Sequence, residues 1–175
     1  FVRKSLSVAS KLLLVFASVH SRLDYCNSVL YSLPWSRLQL LQSVLNSAAR
    51  LIRGLGRFDH ITPVLIDLHW LPFPQRISYK ICLLMFKCLK GLAPAYLSDL
   101  CVGTAAVVGR SGLRSAARGD LVVPGHRTEW GSRSFAVAGP KCWNKLPVGL
   151  RDLSVGPETF ARRLKTHLFR VGFSD

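Results

Sequence analysis

Acidic residues are what this chain has least of. It has nine Asp and Glu against 24 Lys and Arg, a formal charge of +15. No acid stands between Asp24 and Asp59, or between Asp67 and Asp99. The imbalance is spread along the chain: residues 1–100 carry 12 cations and 4 acids, and residues 101–175 carry 12 and 5. A body charged this way attracts polyanions, and nucleic acid is the expected partner. Two-metal phosphoryl chemistry is excluded on the same ground, because no two carboxylates stand adjacent. The five histidines and five cysteines show neither H-x-x-x-H nor C-x-x-C, which removes the usual zinc patterns. There is no P-loop, no GxGxxG and no GxSxG. No catalytic and no metal-binding residue is therefore assigned, and the chain is not expected to be an enzyme.

Long apolar runs are also missing. Lys11 to Val19 is the nearest to one, but His20, Arg22 and Asp24 end it far short of the roughly 20 residues a bilayer needs. It reads as a core helix, with no membrane partner. Cys26, Cys82 and Cys88 sit among apolar residues at helical spacing, as reduced core thiols of an intracellular protein would. Phe1 in place of methionine suggests a fragment or a processed piece.

What is present is helical. Hydrophobic residues make up 49% of the 175 positions, enough for a sizeable core. Residues 5–31 read as one long helix or two, with Ser21 and Asp24 spaced as a capping box. Ser36 and Gln39 repeat that spacing before a helix from Arg37 to Arg53. Its Leu38, Leu41, Leu45, Ala48 and Ile52 make one stripe, and Gln39, Gln42, Asn46, Arg50 and Arg53 the opposite one. Gly54 closes it. Thr62-Pro63 starts a short helix with Thr62 as cap, stopped by Trp70-Leu71-Pro72, and Trp70 is its apolar plug. A helix so short must wedge between longer neighbours. Pro74 to Lys90 sets Ile77, Ile81, Leu84, Met85 and Cys88 against Arg76, Lys80, Lys87 and Lys90.

Downstream, Ala93 to Leu100 is a short helix. Gly103 to Gly119, with Arg110, Arg114 and Arg118 four apart, reads as a flexible basic linker. Leu121 to Pro124 and Ser134 to Ala138 read as strands of a small hairpin. Gly139 to Pro147 is a short helix anchored by Trp143. Thr159 to Phe169 is amphipathic, with Phe160, Leu164 and Leu168 inward and Arg162, Arg163, Lys165 and Arg170 outward or flanking. The expected fold is mainly α, divided into a helical region 1–101, a linker 102–120 and an extension 121–175.

Two acid-free basic edges result. The residues they nominate for phosphate contact are Arg50, Arg53, Arg57, Arg76, Lys80, Lys87 and Lys90, with Arg110, Arg114 and Arg118 assisting. Arg76, Lys80 and Lys87 are read as solvent-facing.

Several phrases, taken as a series, carry a resemblance. They are His20-Ser21-Arg22-Leu23-Asp24-Tyr25-Cys26-Asn27-Ser28, Asp59-His60-Ile61-Thr62-Pro63 and Leu68-His69-Trp70-Leu71-Pro72. Arg76-Ile77 with Tyr79-Lys80, Ala93-Pro94 with Tyr96-Leu97-Ser98-Asp99-Leu100, and Leu113-Arg114-Ser115 follow. Trp143-Asn144 with Leu146-Pro147, and Leu164-Lys165-Thr166-His167-Leu168-Phe169, complete it. In this order the chain resembles the region after the polymerase core in reverse transcriptases of LINE-type (non-LTR) retrotransposons, of the Jockey and vertebrate-LINE kind. The resemblance implies a thumb-like helical bundle plus a C-terminal extension of an RNA-directed DNA polymerase. RNA, DNA and the upstream polymerase core would be its partners, in the nucleus or a cytoplasmic ribonucleoprotein. The palm's Ala-Asp-Asp motif is absent, so this fragment would hold no cofactor, whereas the parent polymerase would use Mg. The alternatives are a helical module that docks on the polymerase core, and a decayed genomic remnant without function.

Overall fold

The computed structural model of the chain describes residues 6–109 and 111–173. It is mainly helical: α1 (Val8–Val15), α2 (Ser21–Asp24), α3 (Trp35–Arg53), α4 (Thr62–Asp67), α5 (Phe73–Leu89), α6 (Ala95–Ser98), α7 (Arg114–Ala117), α8 (Glu129–Arg133), α9 (Phe135–Asn144) and α10 (Pro157–Phe173). A π turn, Phe16–His20, joins α1 to α2. The chain divides into two compact units, Phe1–Ile77 with Leu168–Asp175, and Ser78–His167. The divisions fall inside α5 and α10.

In the first unit α3 is amphipathic as its period requires. Leu38, Leu45, Ala48 and Ile52 are buried, and Gly54 at φ 71° ends the helix with its N–H on the Arg50 carbonyl. Gln42, assigned by its spacing to the wet stripe, is instead buried. Its Oε1 accepts from the Phe73 amide (2.7 Å) and its Nε2 donates to Asn46 Oδ1 (2.8 Å). Phe73 opens α5, where the first amides have no partner within the helix, so Gln42 supplies one from 31 residues away. The wedge holds: Leu65 and Trp70 are buried, and Trp70 meets His20 (4.2 Å between ring centroids) and Phe16 (6.2 Å). Thr62 does not cap; Ile61 occupies that position, without a side-chain bond. Ser36 does not cap either, since α3 begins from Pro34. Ser21 is not a cap: its hydroxyl donates to the Ala17 carbonyl (2.5 Å). Cys26 is exposed at φ 50°, so it is not a core thiol.

In the second unit the core lies between α5, α9 and α10. Ile81, Met85 and Phe86 of α5 and Phe160 and Leu164 of α10 are buried, and the Phe86 and Phe160 rings stack at 4.1 Å. Each large side chain so buried contributes about 1.5–3 kcal/mol. Lys90 reaches the Leu153 carbonyl while Phe86 meets Phe160, so the helices run antiparallel here. α9 comes close: a Cβ on Gly139 would run into Met85 Sδ.

The expected hairpin is not formed. Ser134 to Ala138 lies at the start of α9, and the burial pattern shows why: Ala138 and Cys142, and Gly139 and Trp143, are pairs four apart and all buried. Helical packing on α5 overrides a short alternation of apolar and polar residues. Leu121 makes only an isolated bridge with Gly103, and among the described residues there is no strand ladder. The turn region 125–132 holds α8, capped by Thr128 accepting from the Gly131 amide (3.0 Å). Nor is 103–119 without structure. It contains a 3-10 turn, Thr104–Ala106, and α7, and Thr104 is buried with its amide on the Asp120 carbonyl (2.9 Å).

Gln42→Leu keeps the volume but leaves the Phe73 amide without an acceptor. It should cost about 1–3 kcal/mol, seen as a lower urea midpoint at unchanged m-value; an unshifted midpoint would mean that water serves that amide equally well.

Candidate nucleic-acid interface

The nominated cations have different fates, decided by the nearest acceptor. Arg50, Arg53 and Arg57 gather at the end of α3. Arg50 is half-buried; its Nη2 donates to the Asp59 carbonyl (3.2 Å), and its Nε is buried without a partner. Arg53 pairs with Asp67, both groups well exposed at 41% and 61%. Arg57 is exposed, its guanidinium 6.0 Å from the ring centre of Phe58. That ring is 94% exposed, so a bare aromatic and a cation stand side by side. Arg50 and Arg57 also border one shallow depression of about 410 Å³, together with Ser47, Leu51, Leu55 and Gly56. The Asp59 carboxylate closes this loop by accepting from the Gly56 amide (2.6 Å).

Arg76 is not solvent-facing. Its side chain is 12% exposed and grips Asp24 with two bonds, Nε to Oδ1 (2.9 Å) and Nη2 to Oδ2 (2.5 Å). The same Nη2 lies 3.4 Å from His20 Nδ1. A fork-on-fork pair of this kind fixes geometry as well as charge. Arg76 therefore ties α5 to α2, and the acid that claims it lies 52 residues upstream.

Lys80 and Lys87 are exposed on α5, with no ion pair among the described residues. Lys90 follows three residues after Lys87 and donates to the Leu153 carbonyl (2.9 Å). Arg110 lies outside the described residues. Arg114 is exposed, and Arg118 pairs with Asp120 (3.2 Å). Asp120 also takes Arg151 (2.5 Å), so one carboxylate serves two guanidiniums.

One cluster went unnominated. Arg162, Arg163 and Lys165 all lie exposed on α10, where no acid follows Glu158 before Asp175. Arg163 and Lys90 both act on the Asp152 carboxyl, which is held below its ordinary range mainly by the Ser154 hydroxyl and amide and less by these two cations. Lys90, just past α5, and Arg163 of α10 thus act on the same carboxylate. Acid-free spacing, the signal that selected the α3 and α5 edges, was present here too.

No family model matches the chain, and neither a curated protein nor a solved structure matches it. Among the described residues no group of His, Cys, Asp and Glu could hold a metal ion, and no helix is long and apolar enough to cross a membrane.

The Arg76 cluster is pH-sensitive. His20 is 5% exposed, its Nε2 has no partner, and it faces Arg76, Asp24, Phe16 and Trp70. Burial first, then the Arg76 charge, pushes its pKa down to about 4, against a smaller opposing pull from Asp24. The folded state therefore holds a neutral ring, while the unfolded chain takes up a proton below about 6.5. Stability from this site is complete above that value and is lost as pH falls toward 4. Between pH 7 and 5 the chain should lose about 2 kcal/mol, and His20→Gln should flatten that slope in urea melts. Arg76→Gln should cost a further ~2 kcal/mol at pH 7.

Proposed function

We propose that the chain grips RNA or an RNA–DNA duplex through phosphate contacts, as the non-catalytic region that follows the polymerase core of a LINE-type reverse transcriptase. One observation carries this reading. Carboxylates are matched with Arg53, Arg76, Arg118, Arg133 and Arg151, and exposed Arg57, Lys80, Lys87, Arg114, Arg162, Arg163 and Lys165 make no ion pair among the described residues. Cations left this way on helix edges neutralise phosphates without reading sequence. The exposed Phe58 beside Arg57 adds a surface on which an unpaired base can stack. The resemblance of the ordered phrases supplies the identity of the polyanion. Polymerase chemistry belongs to the parent protein, with its Mg, and this region contributes hold on template and primer.

Arg76 cannot belong to that contact, because it is engaged with Asp24. The informative variant is Lys80→Glu/Lys87→Glu/Arg163→Glu, which touches no ion pair. Filter binding of an RNA–DNA duplex should weaken about a thousandfold from 50 to 200 mM salt if ~6 phosphates are neutralised. The triple variant should lower the log–log slope by about three while its melting curve stays in place. A salt-independent affinity, or a slope that the triple variant leaves alone, overturns the reading.

A second reading, docking on the polymerase core, is favoured by one observation. Leu40, Val44 and Leu51 lie along the outer side of α3 and are 63%, 44% and 39% exposed. Aligned apolar side chains in water mark a contact surface. Leu40→Ser/Val44→Ser should raise solubility at unchanged duplex affinity; weakened duplex binding would instead place this face against nucleic acid.

A further inference from the structure

The two tryptophans of the second unit have opposite fates. Trp143 is buried at 1%, whereas Trp130 is 79% exposed. Indole carries a large apolar area and is highly buried on average, so one left in water calls for a partner. Local sequence sets how this ring is held. Thr128 caps α8 by accepting from the Gly131 amide (3.0 Å). Arg133 follows Trp130 by three residues, within one helical turn, and its guanidinium lies 5.0 Å from the ring centre. Glu129 pairs with that guanidinium (3.6 Å), and the Arg133 side chain is only 18% exposed. The cation is thus set against the indole, and the rest of the ring stays open.

The surroundings decide which partner fits. Apart from Trp130, residues 125–134 are Gly, His, Arg, Thr, Glu and Ser, with no second apolar side chain. A protein interface surrounds its aromatic anchor with a contiguous apolar patch, and this stretch supplies none. Charge points the same way. Residues 121–145 carry Arg127, Arg133, Lys141 and Lys145 against Glu129 alone, and Glu129 is engaged with Arg133. Arg127 is exposed three residues before the ring. Lys141 of α9 reaches the same segment, its Nζ 3.4 Å from His126 Nε2. An open ring among cations is complementary to a base and its flanking phosphates. Arg57 and exposed Phe58 repeat the pairing of ring and guanidinium in the first unit.

We infer that Trp130 is a stacking platform for an unpaired base, with Arg127 and Lys141 supplying charge for the phosphates on either side. The inference rests on the nucleic-acid reading above and adds to it the form recognised here, a single-stranded stretch.

Filter binding and tryptophan emission of the full chain, titrated with oligo(A), an abasic strand of equal length and a blunt RNA–DNA duplex, test it. Oligo(A) should bind at least about tenfold more tightly than the abasic strand and quench the emission. Trp130→Ala should lower oligo(A) affinity about tenfold and leave the abasic strand, the duplex and the melting curve unchanged. Trp130→Phe should keep most of the affinity, because a phenyl ring also stacks. The Lys80→Glu/Lys87→Glu/Arg163→Glu variant should weaken the duplex without altering the preference for oligo(A) over the abasic strand. Equal affinity for those two strands, or a preference that Trp130→Ala leaves whole, overturns this inference while salt-dependent duplex binding still stands. A loss in Trp130→Ala shared equally by all three ligands also overturns it, since the ring would not be stacking on a base. Absence of binding by every ligand overturns the nucleic-acid reading and this inference together.

Discussion

Nine carboxylates have to serve twenty-four cations, and where each carboxylate is used decides much of this structure. Asp24 holds Arg76 across 52 residues, and Asp120 holds Arg151 across 31. Both pairs are largely out of water, at 12% and 35% exposure for the first and 7% and 12% for the second. In such surroundings a charge without its counterion is strongly unfavourable, so each pair brings distant segments to one place. Arg53 and Asp67, by contrast, pair in the open, where screening leaves little stabilisation. Asp24 and Asp120 therefore act as internal ties. Arg53 and Arg118 stay in solvent although paired, and Arg50 is half-buried without an ion pair among the described residues.

Each tie also organises its neighbours. Around Arg76 and Asp24, the π turn brings His20 under Trp70, and Asn27 Nδ2 lies 3.4 Å from Asp24 Oδ1. The wedge helix is then closed by Trp70, whose amide bonds back to the Leu65 carbonyl (2.9 Å). Around Asp120, its backbone carbonyl takes the Thr104 amide while its carboxylate takes Arg118 and Arg151. A segment rich in Gly, Ala and Ser gains a fixed path from that one residue, although its own composition favours none.

This explains which parts could be read from the residues alone. The stripes of α3, α5 and α10, the left-handed closure at Gly54 and the short helix within Ala93 to Leu100 depend on neighbours within about four residues, and these were legible. The hairpin was misread because Phe135 to Val137 alternates over too few residues to outweigh packing on Met85. Gln42 and Arg76 sit on the polar side of their own helices by period. Their partners, Phe73 and Asp24, lie 31 and 52 residues away, and no periodicity reports that. Counting charge showed that cations were in excess without showing which ones the acids would claim.

Position along each helix separates the exposed and half-buried cations further. Arg50 and Arg53 stand in the last turn of α3 and Lys87 in the last turn of α5, where a helix favours positive charge whatever else is bound. Their presence has a sufficient structural cause. Lys80 stands mid-helix, and Arg162, Arg163 and Lys165 occupy the middle turns of α10, where the dipole offers them nothing and Glu158, four residues before Arg162, is the one acid of the helix. The phosphate reading would supply an external anion to such a basic edge. The weight of the phosphate reading therefore rests on Lys80 and the α10 cluster more than on the arginines that close α3.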